Sequence, residues 1–269
     1  MTSTTVEIKA KDGLTLLTRR WECEDPQARI LLVHGLGEHS GRYEHVGDFL
    51  AERRFELFAF DLRGHGASEG IRVDVETFDD YLEDLELVFG EMPSDLPTVI
   101  YGHSMGGLIA TSYAVSDRPQ PSLYVLSAPA LDADVPAALK TTAKVLARLR
   151  PGMRLPNSIK AEQLSRDPSV GEKYFADPLV MTKGTARFGS ALMGQMATIG
   201  DELGRLSVPT LVFHGAEDEL VPPHASAPLA AVEGVERKLF PGLRHETHNE
   251  PEQAEVLGFM AQWLEGQLA

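Results

Sequence analysis

Along most of this chain, short apolar runs alternate with amphipathic stretches. Ile30-Leu31-Leu32-Val33 and Leu211-Val212-Phe213 are uninterrupted, the pattern of strands covered on both faces in a parallel sheet. The pattern predicts strands over residues 5–10, 14–21, 29–34, 55–61, 98–102, 123–127, 210–214 and 237–240, with helices over 43–53, 78–89, 105–116 and 252–268. Such alternation implies right-handed crossovers and a mostly parallel, doubly wound α/β sheet. The first two strands have no helix between them, so they are expected to pair as an antiparallel edge. The rhythm breaks over residues 129–200, where strands disappear and Pro-punctuated helical segments take over. The division expected is a core made of 1–128 and 201–269, interrupted by a helical cap over 129–200.

Chemistry enters where the fifth strand ends. Gly102-His103-Ser104-Met105-Gly106 lies between the apolar run Val99-Ile100-Tyr101 and a helical segment. A serine at the apex of a strand–turn–helix with small flanking residues has the geometry of a nucleophile elbow. A hydroxyl is a weak nucleophile and needs a base, which in turn needs an acid to orient it. In such folds these arrive in the order Ser, Asp, His, each after a strand. Asp218 and His245 follow the last two predicted strands, at the edge where open parallel sheets place their sites. Glu217 stands beside Asp218, and His248 three residues after His245, so spacing alone leaves both choices open. His245-Glu246-Thr247-His248 falls one residue short of the H-E-x-x-H zinc pattern, and no metal or organic cofactor is called for. A tetrahedral intermediate needs backbone N–H donors. Met105, directly after the serine, supplies one, and Leu36, in the glycine-rich loop His34-Gly35-Leu36-Gly37, the other.

Composition narrows the field. The chain has 269 residues, a net charge of -15 and a single cysteine. An acidic surface repels a nucleic-acid backbone, one cysteine forms no internal disulfide, and no run approaches the roughly 18 apolar residues of a membrane span. The opening residues lack a basic and then apolar leader. The expected location is the cytoplasm, with peripheral contact to a membrane surface.

Three blocks, 34–43 (HGLGEHSGRY), 61–68 (DLRGHGAS) and 102–107 (GHSMGG), together with 214–218 (HGAED) and 244–246 (RHE), resemble the monoacylglycerol lipase family of α/β-hydrolases. The resemblance covers nearly the whole chain and is nearest to bacterial members. It implies an α/β-hydrolase fold with a helical cap, and a serine ester hydrolase that cleaves monoacylglycerols to fatty acid and glycerol through an acyl-enzyme. It implies Ser104, Asp218 and His245 as the triad and the Leu36 and Met105 amides as the oxyanion hole. It places Glu38, Arg42, Tyr174 and His248 around the glycerol. The alternative on the same machinery is a broad carboxylesterase or lysophospholipase; a peptidase is a further rival, and a binding module without catalysis stands in a different class. Asp61, Arg63 and His65 are expected to shape their loop, not to react. Cys23, His45 and His224 are read as structural or surface residues.

The cap carries two further patterns. Lys140, Lys144, Arg148, Arg150, Arg154 and Lys160 form a basic island without an acid among them, beside Leu139, Ala143, Val145, Leu146 and Leu149. A basic amphipathic helix of this kind suits a lipid interface. Phe188, Leu192, Met193, Met196 and Ile199 make an apolar stripe able to line an acyl tunnel.

Overall fold

The computed structural model of the protein describes residues 3–133 and 144–269. Ten strands are found among them: β1 Thr4–Lys9, β2 Thr15–Trp21, β3 Ala28–Val33, β4 Phe55–Phe60, β5 Thr98–His103, β6 Leu123–Ser127, β7 Arg154–Pro156, β8 Lys183–Thr185, β9 Thr210–Gly215 and β10 Val235–Phe240. Eight of them form one sheet in the order β1-β2-β4-β3-β5-β6-β9-β10. β2 pairs antiparallel with both β1 and β4, and every other pairing in this sheet is parallel. The expected antiparallel edge is therefore present.

Period-two side-chain alternation gives each inner strand two apolar faces. Leu31 and Val33 enter the core on one side of the sheet, Ile30 and Leu32 the core on the other. Helices α1 (Glu44–Ala51) and α7 (Gln253–Leu268) cover the second face; α2 (Asp79–Glu91) and α3 (Met105–Ala114) cover the first. α3 is buried along its whole length, which is why it reads as an apolar stretch with little amphipathic pattern.

Between β6 and β9 the chain leaves the sheet. This insert holds α4 (Ala161–Leu164), α5 (Pro168–Ala176) and α6 (Ala186–Glu202), and residues 144–149 are also helical. One expectation is corrected here. The insert does contain strands, since β7 and β8 form an antiparallel ribbon. Three residues each are too few to show an alternating pattern, so periodicity does not reveal the ribbon. Leu139, Lys140 and Ala143 of the basic helix lie outside the described residues.

Candidate active site

Ser104 sits at the turn between β5 and α3 with φ 54° and ψ -117°. A non-glycine residue held there costs roughly 1–3 kcal/mol. The surroundings hold it by the backbone: Ser104 N–H donates to Ser127 O at 2.9 Å, and Ala130 N–H donates to Ser104 O at 3.0 Å. Gly106 is required for the turn to close, because a Cβ there would collide with the Val33 and His34 carbonyls.

The three residues named from the sequence converge. His245 Nε2 lies 2.9 Å from Ser104 Oγ, and its Nδ1 lies 2.7 Å from Asp218 Oδ2. Asp218 and His245 are buried and Ser104 is 7% exposed. The Asp218 Oδ1 accepts from the Leu220 and Val221 amides, both at 2.9 Å. Burial opposes ionisation of Asp218, but its contacts with His245 and His214 outweigh that and hold the carboxyl far below the usual range. Burial works against the charged form of His245 as well, yet the Asp218 carboxylate raises it above an ordinary histidine. Glu217 is exposed and the His248 ring nitrogens have no hydrogen-bond partner among the described residues. Of the two pairs left open by spacing, it is Asp218 and His245 that lie within bonding distance of one another, and His245 of Ser104.

Two cavities meet at Ser104. The larger, about 510 Å³, is lined by Leu36, Met105, Leu146, Leu155 and Phe188, and by Leu192, Met193 and Met196 from the expected stripe. Ile199 turns instead into the core beneath it. The smaller, about 20 Å³, is lined by Gly35, Glu38, His103, Tyr174, His245 and Glu246. Leu36 and Met105 both stand beside the serine in the wall of the larger cavity.

The four polar residues expected together divide into two layers. Glu38 and Tyr174 line the small cavity. Arg42 stands behind them, bonded to Glu38 Oε2 at 2.6 Å and to both oxygens of Glu246 at 2.7 Å, with its guanidinium 4.8 Å above the Tyr174 ring. His248 departs from the expectation: it lines neither cavity. Its ring stacks on Tyr43 at 4.9 Å and meets His103 edge-on at 4.7 Å, and neither ring nitrogen has a partner among the described residues. Burial, with His103 adding to it, pushes His248 well below the ordinary value, so it is a neutral packing ring. The physical reason is local. His248 lies in a tight 3-10 turn, Thr247–Asn249, and His245 in the loop before it. His103 packs against both rings, 4.9 Å from the one and 4.7 Å from the other.

Glu38 also braces the loop: its Oε1 accepts from Gly35 N–H at 2.6 Å and from Tyr43 Oη–H at 2.8 Å. Asp61, Arg63 and His65 stay away from the triad. Asp61 accepts from Ser40 and Ala67, and Arg63 pairs with Asp84 at 2.6 Å. Sequence reasoning missed His214 and Glu246. The first lies 3.1 Å from Asp218 and the second neutralises Arg42. His214 stood within a block already singled out, four residues before Asp218; Glu246 finds its partner 204 residues away, beyond any local signal.

The family model described as "Serine aminopeptidase, S33" matches residues 24–252. The chain is 39% identical over 252 residues to the monoacylglycerol lipase of Mycolicibacterium smegmatis, covering 89% of each. It is 34% identical to human monoglyceride lipase, covering 89% of this chain and 82% of that one. The crystal structure of Paleococcus ferrophilus monoacylglycerol lipase superposes with a TM-score of 0.81 at 30% identity, covering 99% of this chain and 100% of that one. A soluble variant of Saccharomyces cerevisiae monoglyceride lipase shares the fold, with a TM-score of 0.90 at 24% identity over 99% of this chain and 96% of that one. With its elbow serine, its mixed eight-stranded sheet and its insert, the chain belongs to the monoacylglycerol lipase family of α/β-hydrolases and is a serine hydrolase of the carboxylic ester type.

Proposed function

We propose that this protein hydrolyses monoacylglycerols to fatty acid and glycerol, with residues 129–200 acting as a cap over the acyl chain. Ser104 Oγ attacks the ester carbonyl as His245 takes its proton, and Asp218 fixes the imidazole tautomer and stabilises the imidazolium. The Leu36 and Met105 amides hold the oxyanion. His245 then protonates the departing glycerol oxygen, and water enters on the same base to release the acid. Asp218 stays ionised throughout.

The observation that carries this reading is the pair of unequal cavities at one hydroxyl. The larger is apolar and lined by adaptable Met and Leu side chains, which suits a single acyl chain. The smaller, at about 20 Å³, is lined by Glu38, Tyr174, His245 and Glu246 and has room for about one water or hydroxyl; we read it as the place where a glycerol hydroxyl enters beside Glu38 and Tyr174, with Arg42 and His248 behind its wall.

The insert supports a lipid-facing role. Lys144, Arg148, Arg150 and Arg154 are exposed, beside Leu149 at 73% and Met153 at 40% exposure. Apolar side chains among cations fit an anionic bilayer surface. The test of the function is a hydrolysis panel of mono-, di- and triacylglycerols with one acyl chain, a lysophospholipid and an aminopeptidase substrate. Monoacylglycerol is expected to dominate; equal rates on triacylglycerol would overturn the assignment.

A further inference from the structure

The loop that carries His245 is held from a direction the triad does not use. Glu250, five residues further on, is 0% exposed. Its Oε1 accepts from the Arg244 backbone N–H at 2.7 Å. Its Oε2 accepts from the backbone N–H of Arg166 at 3.1 Å and from Arg166 Nε–H at 3.2 Å, and lies 3.2 Å from Ser165 Oγ. Ser165 and Arg166 directly follow α4 in the insert. One carboxylate therefore ties the residue before the histidine to the turn that ends α4. Backbone bonds run alongside it: Glu246 N–H donates to Leu164 O at 2.8 Å and His245 N–H to Gln163 O at 3.4 Å.

The partners fix the chemistry. The Arg244 amide and the Arg166 amide and guanidinium are donors only, and an ionised carboxylate accepts at both oxygens. Bonds of this type are short and strong, and they offset the cost of burying the charge. The amide isostere fits the space but not the pattern, because its NH2 end must face a donor on one side or the other. His245 has to hold hydrogen-bond distance to Ser104 and Asp218 at once, and a shift of about 1 Å in such a geometry costs on the order of a hundredfold.

We propose that Glu250 is a positioning residue for His245, and that it makes the segment 163–166 of the insert a support for the catalytic base as well as a wall of the site. This rests on His245 being the base, as set out above. The insert then does more than cover substrate, since a change in it reaches the chemistry through Glu250 even where no substrate touches it.

The test is Glu250→Gln, assayed on a short water-soluble ester and on a monoacylglycerol, with rates expressed per serine titrated to completion by a fluorophosphonate. We expect kcat to fall about tenfold to a hundredfold on both substrates, with KM changed less than about twofold. The acid limb of kcat/KM moves to lower pH as the His245–Asp218 contact loosens, while the other groups facing His245, namely His103, Glu246 and Glu38, are unaltered. A purely structural role would lower the titrated fraction and leave kcat per site and the pH limb in place; that result would overturn the proposal. Should Glu250→Gln fail to fold, Arg166→Met removes the insert-side charge and leaves the Arg244 bond; it is expected to lower kcat several-fold at constant KM, and an unchanged kcat overturns the proposal. A His245→Ala protein with full activity is a separate outcome, which would remove the base itself.

Discussion

The two cavities at Ser104 are built on opposite principles. The larger is walled mostly by side chains from the insert, such as Leu146, Leu155, Leu192 and Met196, and these make few directed contacts. The smaller is walled by Glu38, Tyr174 and Glu246, and these are locked through Arg42 into an ion cluster whose members are mostly buried. Dispersion and exclusion of water hold an acyl chain without demanding one shape, whereas hydrogen bonds to a headgroup demand one. On the function proposed, one side of Ser104 is therefore tolerant and the other selective. Changes on the two sides should fail differently, and changes to the shared centre should fail together.

The largest effect belongs to that centre. Asp218→Asn is expected to lower kcat about ten-thousand-fold, as loss of the orienting acid does in serine proteases, whichever chamber a substrate emphasises. The raised His245 gives the pH dependence its sign. The imidazole keeps its proton to a higher pH than a free histidine and must be neutral to act. Activity of the native protein therefore falls as pH drops through a midpoint above about 6.5, which a kcat/KM profile measures.

Next comes the polar side. Arg42→Met leaves Glu38 and Glu246 buried without their cation, and breaking a buried pair costs about 3–5 kcal/mol. A lowered Tm is expected, together with a loss of kcat/KM that is larger for glycerol esters than for methyl esters of the same acid. An equal loss on both would erase the contrast between the chambers. On the apolar side, Met196→Ala is expected to weaken dependence on chain length. Each methylene that loses its burial gives up about 0.8 kcal/mol, or about fourfold in kcat/KM, so the slope against carbon number flattens while glycerol preference stays. Smallest is Leu149→Glu at the insert's outer edge. Binding to anionic vesicles should weaken several-fold in a sedimentation assay, with hydrolysis of a soluble ester unchanged.

The inner sheet was legible because burial on both faces leaves runs such as Leu211-Val212-Phe213 with no polar interruption. At the edge the pattern thins. In β10, Glu236 and Lys238 face solvent, and the strand begins two residues before its expected start. The approach of Ser104, Asp218 and His245 could be read in advance because each follows a strand whose end points at the same rim. What could not be read are partners fixed only by the folded chain. Glu250 and Arg166 stand 84 residues apart, and nothing near either marks the other. His248 falls between these cases: spacing and resemblance both draw it toward the pocket, and the local turn sets its ring behind the wall.

Tolerance on one side and selectivity on the other act together only if a single hydroxyl serves both cavities. Intact-mass and peptide analysis after treatment with a long-chain fluorophosphonate reads this out. One adduct, on Ser104, is expected, and it should vanish in Ser104→Ala along with ester hydrolysis. An adduct on another residue, or ester hydrolysis persisting at the native rate in Ser104→Ala, would show that the chemistry lies elsewhere.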